Sequence, residues 1–168
     1  MNKTLYYILL FFSFALLQVL VLNRIELFGY VNPYLYIAYI FILPLNQKRI
    51  SVLTSAFLLG LCIDIFCNSG GIHAFATLFI AYIRLFFIRA IFKKTASEYA
   101  LFDLNLETFG KVFNYTAILT FIHHFILFSF INFSFYNFYN VILNTILSSI
   151  FTLSLYYIGS FVFRKKSV

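Results

Sequence analysis

The chain has 168 residues, of which 63% are hydrophobic and 10% are charged. Soluble domains run near half apolar and a quarter charged, and a water-soluble fold of this size could not hide so much apolar surface. The net charge of +7 does not mark a nucleic-acid binder, because Lys and Arg sit at the ends of apolar blocks, where they orient a chain in a bilayer.

Taken in order, the apolar blocks predict six membrane spans in a single polytopic domain over residues 1–168. The first runs from about Thr4 to Leu22 and stops at Asn23, Arg24 and Glu26. It follows Lys3 as a signal peptide would, but its length and the lack of a small-x-small cleavage site predict a retained helix. A loop with Gly29 and Tyr30 leads to Asn32-Pro33, read as a helix start because Asn caps free N–H groups and Pro suits a first turn. The second span, about 33–45, is short for ~30 Å of hydrocarbon, and Pro44 should kink or end it. Tilt, local thinning or extension back through Phe28 would make up the difference.

A third span, about Ile50 to Cys67, and a fourth, about Ile72 to Phe92, form a hairpin across the turn Asn68-Ser69-Gly70-Gly71. The polar loop 93–111 is too short for a soluble domain. Within it, Phe102, Leu104 and Leu106 alternate with Asp103, Asn105 and Glu107, a period-two pattern expected of a loop, a short strand or an interfacial segment that docks a partner. The fifth span (about Val112 to Phe133) and the sixth (about Phe138 to Phe163) flank an uncharged, aromatic and Asn-rich turn. Ten of the twelve Lys and Arg residues fall on one side: Lys3, Lys48, Arg49, Arg89, Lys93, Lys94, Lys111, Arg164, Lys165 and Lys166. Only Arg24 falls on the other, and Arg84 lies within a span. This asymmetry predicts cytoplasmic termini and a cytoplasmic 93–111 loop.

Asp64 is the most informative residue, since a carboxylate inside an apolar helix faces the protein interior or a water-filled cavity. It is read first as a polar packing node, with a partner contact or a proton or ion site as alternatives. Leu53, Ala56, Gly60, Asp64 and Cys67 form one stripe, and Ala74, Thr77, Ala81 and Arg84 form another on the next helix. Their small members predict close packing of the two. A direct Asp64–Arg84 pair is not expected, because Arg84 lies ~18 Å and Asp64 only ~5 Å below the outer ends of their helices. Asp64 is expected instead to bond His73, Asn68 or backbone N–H groups of the Asn68–Gly71 turn. Arg84 is expected to snorkel towards the cytoplasm or pair within the bundle.

His123 and His124 point ~100° apart on a regular helix and cannot share a metal, so one is expected to make an interhelical hydrogen bond. Asn114, Thr116, Thr120, Asn144 and Ser148 are sparse polar groups of the kind that join membrane helices. Cys62 and Cys67, ~140° apart, imply neither a metal face nor a disulfide. The abundance of Phe and Tyr is read as compositional bias rather than a binding surface. Metalloprotease, Ser-nucleophile, P-loop and dinucleotide signatures are missing, so no enzyme is expected.

The run Leu59-Gly60-Leu61-Cys62-Ile63-Asp64-Ile65-Phe66, then Gly70-Gly71-Ile72-His73-Ala74 and Tyr82-Ile83-Arg84, resembles the rod shape-determining MreD family. So does the region from Asn32-Pro33-Tyr34-Leu35 to Leu43-Pro44-Leu45. The resemblance implies an all-α inner-membrane protein whose fold is similar to the substrate-binding subunits of energy-coupling vitamin transporters. It also implies a non-enzymatic subunit of the bacterial cell-elongation machinery. Its implied partners are the bitopic protein MreC, indirectly MreB, RodA and a penicillin-binding protein, and membrane lipid; no cofactor, metal or nucleic acid is implied. Gly60, Asp64, Gly71 and Arg84 would define the fold or contact a partner, with Gly70, His73, Asn32 and Pro33 as further candidates. The competing expectation is a small-molecule transport subunit using Asp64 and the aromatics, and an intramembrane enzyme using Asp64 with His73 or His124 is a distant third.

Overall fold

A computed structural model of the chain describes residues 3–25, 31–45, 47–93, 102–132 and 138–163. The Asn-rich turn between the last two spans, Phe28, Gly29, Tyr30, residues 94–101 of the 93–111 loop and the basic C-terminal residues lie outside the described residues. Helices α1 (Lys3–Leu20), α2 (Ala38–Ile42), α3 (Arg49–Cys67), α4 (Ile72–Phe92), α5 (Phe109–Ile131) and α6 (Phe138–Phe163) account for most of the rest. Five of the expected spans are helices long and apolar enough to cross a membrane, at Thr4–Arg24, Arg49–Cys67, Ile72–Phe92, Phe109–Ile131 and Phe138–Val162. The protein is therefore a multi-pass helical membrane protein.

The expected second span differs. Residues 32–34 are not helical, Leu35–Ile37 form a single 3-10 turn, and α2 holds only five residues before the chain turns extended at Leu43. Asn32 and Pro33 do not start a helix; Tyr34 precedes the 3-10 turn and supplies no side-chain cap. The segment nevertheless runs antiparallel to α1. Pro33 and Tyr36 bond Gln18, the Tyr39 ring meets Phe11 at 5.8 Å, and Leu43 and Pro44 line one groove together with Tyr7. Those α1 levels are ~16 Å apart along the helix axis. The segment thus traverses about half the hydrocarbon thickness as a broken element, and almost none of it is exposed: Tyr36, Ile37 and Ile40 are at 0%.

Around this segment α3, α4, α5 and α6 pack as neighbours in chain order, with α1 against α3. Phe41 packs edge-on against Tyr115 of α5 and Tyr156 of α6, so a chain with few regular hydrogen bonds lies at the centre of the bundle. The alternating stretch after Phe102 is no strand: Leu104–Leu106 form a 3-10 turn, Phe102 packs on Phe92 with centroids 5.0 Å apart, and Leu106 stays exposed.

The α3–α4 hairpin follows the small-residue stripes. Ala56, Gly60, Ala74, Thr77 and Ala81 are buried, while Leu53 is half-buried and Cys67 exposed at the margins. A Cβ on Gly60 would meet Thr77 Oγ1, and would come within 2.5 Å of the Ala74 backbone and the His73 carbonyl. Glycine is what lets the helices approach this closely. Gly60→Ala is expected to destabilise the hairpin by ~1–3 kcal/mol through overpacking. Gly159→Ala, at a site with nothing within 4 Å, should be near neutral. Thermal unfolding of the detergent-purified variants checks this, and equal midpoints for the two would refute the close-approach argument.

Candidate functional site

Asp64 lies one turn from the end of α3, and the chain then reverses through Asn68 (φ 53°) and Gly71 (φ 95°), both left-handed. Asn tolerates that region and Gly adopts it without a Cβ penalty. Gly71 is the N-cap of α4 and has no side chain to accept the free N–H groups of the first turn. Asp64 supplies that acceptor from the preceding helix. Its Oδ1 accepts from His73 N at 2.9 Å and from Ser69 Oγ at 2.6 Å, and its Oδ2 accepts from Ala74 N at 2.8 Å. A carboxylate at a helix N-terminus also meets the positive end of the helix dipole. Of the partners expected for Asp64, His73 is found, although it contributes its N–H and not its ring; the Asn68–Gly71 turn reaches the carboxylate through the Ser69 hydroxyl and not through its backbone N–H groups, and the second backbone donor is Ala74 of α4. Asn68 instead donates its backbone N–H to the Asp64 carbonyl.

Arg84 is buried at the other end of the broken segment. Its Nη1 donates to the Ile40 carbonyl at 2.6 Å, and its Nη2 to Leu43 and Pro44 carbonyls at 3.0 and 3.1 Å. These are the carbonyls that α2 cannot bond because it stops after five residues. Of the two expectations for Arg84, pairing within the bundle is found, and its partner is backbone. Asp64 and Arg84 serve different chain ends, as the depth argument predicts.

The upper end of the segment is held by Gln18 and Thr152, which hydropathy and spacing do not single out, and by Ser148, one of the polar residues expected to join helices. Gln18 donates to the Pro33 carbonyl at 2.9 Å and to Asn23 at 2.8 Å, and its carbonyl accepts from Tyr36 N at 3.3 Å. Asn32 N donates to Ser148 Oγ at 3.2 Å, and Tyr34 N to Thr152 Oγ1 at 3.0 Å. A lone Gln in the last turn of an otherwise apolar helix was the available signal, since polar side chains in a span face the interior.

Below this lies a chain of hydrogen-bonded rings. The Tyr36 hydroxyl stands 2.7 Å from His73 Nδ1 and 3.0 Å from His123 Nε2. Its single proton can go to only one of them, so the other imidazole must donate. His123 Nδ1 has no partner. The arrangement that leaves no buried N–H unpaired therefore places the proton of neutral His123 on Nε2, donating to Tyr36, which donates to His73. For His124 the assignment is fixed by a carbonyl: Nδ1 lies 2.8 Å from Thr120 O and must donate, so Nε2 accepts from Thr152 Oγ1 at 3.1 Å. Thr152 in turn accepts from Tyr34 N. Both histidines thus join elements, where one was expected to. Of the other sparse polar residues, Thr116 meets Tyr157 across α5–α6 at 2.7 Å, whereas Asn114 faces outward. Among the described residues no group of three His, Cys, Asp or Glu is placed to hold a metal ion.

A buried irregular chain held by Gln18, Arg84 and a Tyr–His cluster, beside a helix start capped by Asp64 and inside five long apolar helices, defines a polytopic membrane protein whose two buried charges are directed at its own backbone. Comparison with protein families adds the family. The model of the rod shape-determining protein MreD matches residues 1–160, and the chain belongs to the MreD family. Comparison with curated proteins found no match, and comparison with solved structures found none.

Asp64→Asn keeps the Oδ1 bonds but turns an NH2 towards Ala74 N–H, losing one charge-assisted bond worth ~1.5–3 kcal/mol. Asp64→Leu leaves two buried N–H donors, His73 and Ala74, without an acceptor at ~1–3 kcal/mol each, and also frees the half-buried Ser69 hydroxyl. The thermal midpoint in detergent is expected to fall in the order wild type, Asn, Leu. A Leu variant as stable as wild type would show that the carboxylate does not cap α4.

Proposed function

We propose that this chain is a non-enzymatic membrane subunit of the bacterial cell-elongation complex, acting as a scaffold that binds an MreC-type bitopic protein. Through that partner it would be linked to MreB filaments and to the RodA and penicillin-binding protein pair that builds the side wall. The observation that carries the reading is the family match over residues 1–160 to a rod shape-determining protein. The geometry favours it over the transport alternative. The polar atoms at the centre are spent on holding residues 32–45 in place, leaving Asp64 and Arg84 engaged with backbone rather than aimed at a ligand.

On this reading, depleting the protein from a rod-shaped host gives rounded cells, and affinity purification from native membrane recovers a single-span protein of MreC type. Rods that keep their shape under depletion would sink the proposal.

We also propose insertion in the cytoplasmic membrane with both termini inside, on the strength of the ten-to-one distribution of Lys and Arg. Five helices alone would put the termini on opposite sides, so this orientation requires the broken segment to count as a crossing. Alkaline phosphatase fused after Val168 should be inactive, and an active fusion would place the C-terminus outside.

A further inference from the structure

The N-terminal half of α1 packs on the core through Tyr7, Leu10, Phe11 and Phe14 and leaves a gap on one side. Ala15 and Gln18 are buried, yet no residue from Thr4 to Phe14 is. The gap is a groove of about 800 Å3 between α1, the end of the broken segment and the start of α3, within the volume range of ligand sites. Tyr7 and Phe11 form one wall, Leu58 the other and Leu43 the floor, while Gln47 and Ser51 make one end polar. Leu43 is 4% exposed, whereas Phe12 and Leu58 at the rim are 55% and 46% exposed, so the groove opens sideways onto the lipid-facing surface.

We propose that this groove holds an anionic phospholipid, with acyl chain between α1 and α3 and its phosphate at the Gln47–Ser51 end. Three observations select that occupant. The groove follows α1 only from Thr4 to Phe12, ~12 Å of axis, which matches one leaflet's chain and not a helix crossing ~30 Å of hydrocarbon. Its polar end is flanked by basic residues: Lys48 and Arg49, both exposed, are the N-cap and first residue of α3. Arg49 lies over the Tyr82 ring at 4.6 Å, on the α4 side; Lys48 does not itself line the groove but stands exposed in the chain between the lining residues Gln47 and Ser51. No carboxylate is among the lining residues; Asp103 approaches Tyr7 from the 102–107 turn but does not line the groove. Dry protein interiors leave few such voids, and in a bilayer hydrocarbon fills this one.

The chain contains no Trp, so a single introduced indole reports its own surroundings. Phe11→Trp in the groove wall, and Leu58→Trp on the opposite wall as a second reporter, are reconstituted as full-length protein in symmetric vesicles. The probes are phosphatidylglycerol or phosphatidylcholine with brominated acyl chains. Quenching at both positions is expected to favour the brominated phosphatidylglycerol by about fivefold, the effect of one basic side chain near an anionic headgroup. Lys48→Gln should bring the ratio close to one. Phe121→Trp, in the apolar α5–α6 depression, should show no preference. Equal quenching by the two lipids at Phe11→Trp and Leu58→Trp, an undiminished ratio in Lys48→Gln, or the same preference at Phe121→Trp would each overturn the proposal. Only the leaflet assignment rests on the proposed orientation, and symmetric vesicles make the result independent of it and of any cell-shape role.

Discussion

Backbone that is not helical has no place in hydrocarbon unless every N–H and C=O finds a partner inside the protein. Residues 32–45 are such backbone, and the rest of the molecule is arranged to satisfy them. Gln18 from α1, Ser148 and Thr152 from α6, and Arg84 from α4 take up the groups that a continuous helix would have bonded to itself. An unsatisfied polar group in this setting costs several kcal/mol, so each of these contacts matters more than its counterpart in water. The buried side chains with polar ends are therefore not scattered decoration but terms of one requirement.

The same logic explains the pairing of charge with chain ends. α4 begins at a glycine with no capping side chain, and the anion comes from Asp64; α2 ends after five residues, and the cation comes from Arg84. Each charge sits at the helix end whose dipole it complements. The two never need each other, which is why their different depths are compatible with both being buried. Gly60 then lets α3 come close enough to α4 for Asp64 to reach across the turn.

Much of this was legible in the sequence because it obeys simple rules. Five long apolar blocks, the small-residue stripes through Gly60 and Thr77, and the separate fates of Asp64 and Arg84 follow from hydropathy, helical periodicity and depth. The second span was legible only as a problem: thirteen residues ending at Pro44-Leu45 are too few for a crossing helix, but nothing local says that the chain breaks into a 3-10 turn and a single α-turn and half. That outcome depends on Gln18 and Thr152, far away in sequence, being in place to receive it. Tyr36 was hidden for a different reason. In a chain with 13 Tyr, one more is indistinguishable from compositional bias until the fold sets its hydroxyl between two imidazoles.

These commitments bear on how the protein can be recognised from outside. Asp64 and Arg84 are 4% and 2% exposed, and their hydrogen-bonding atoms already have partners within the chain. A helix docking from the membrane would meet apolar faces such as Phe12, Phe57, Phe86 and Ile150, where association relies on shape and close packing rather than on polar contacts. Substitutions in the signature region around Asp64 thus act on whether the outer surface is built at all, and substitutions on the lipid-facing surface act on what it binds. The two classes separate experimentally, because the first lowers the stability of the isolated protein and the second leaves it unchanged.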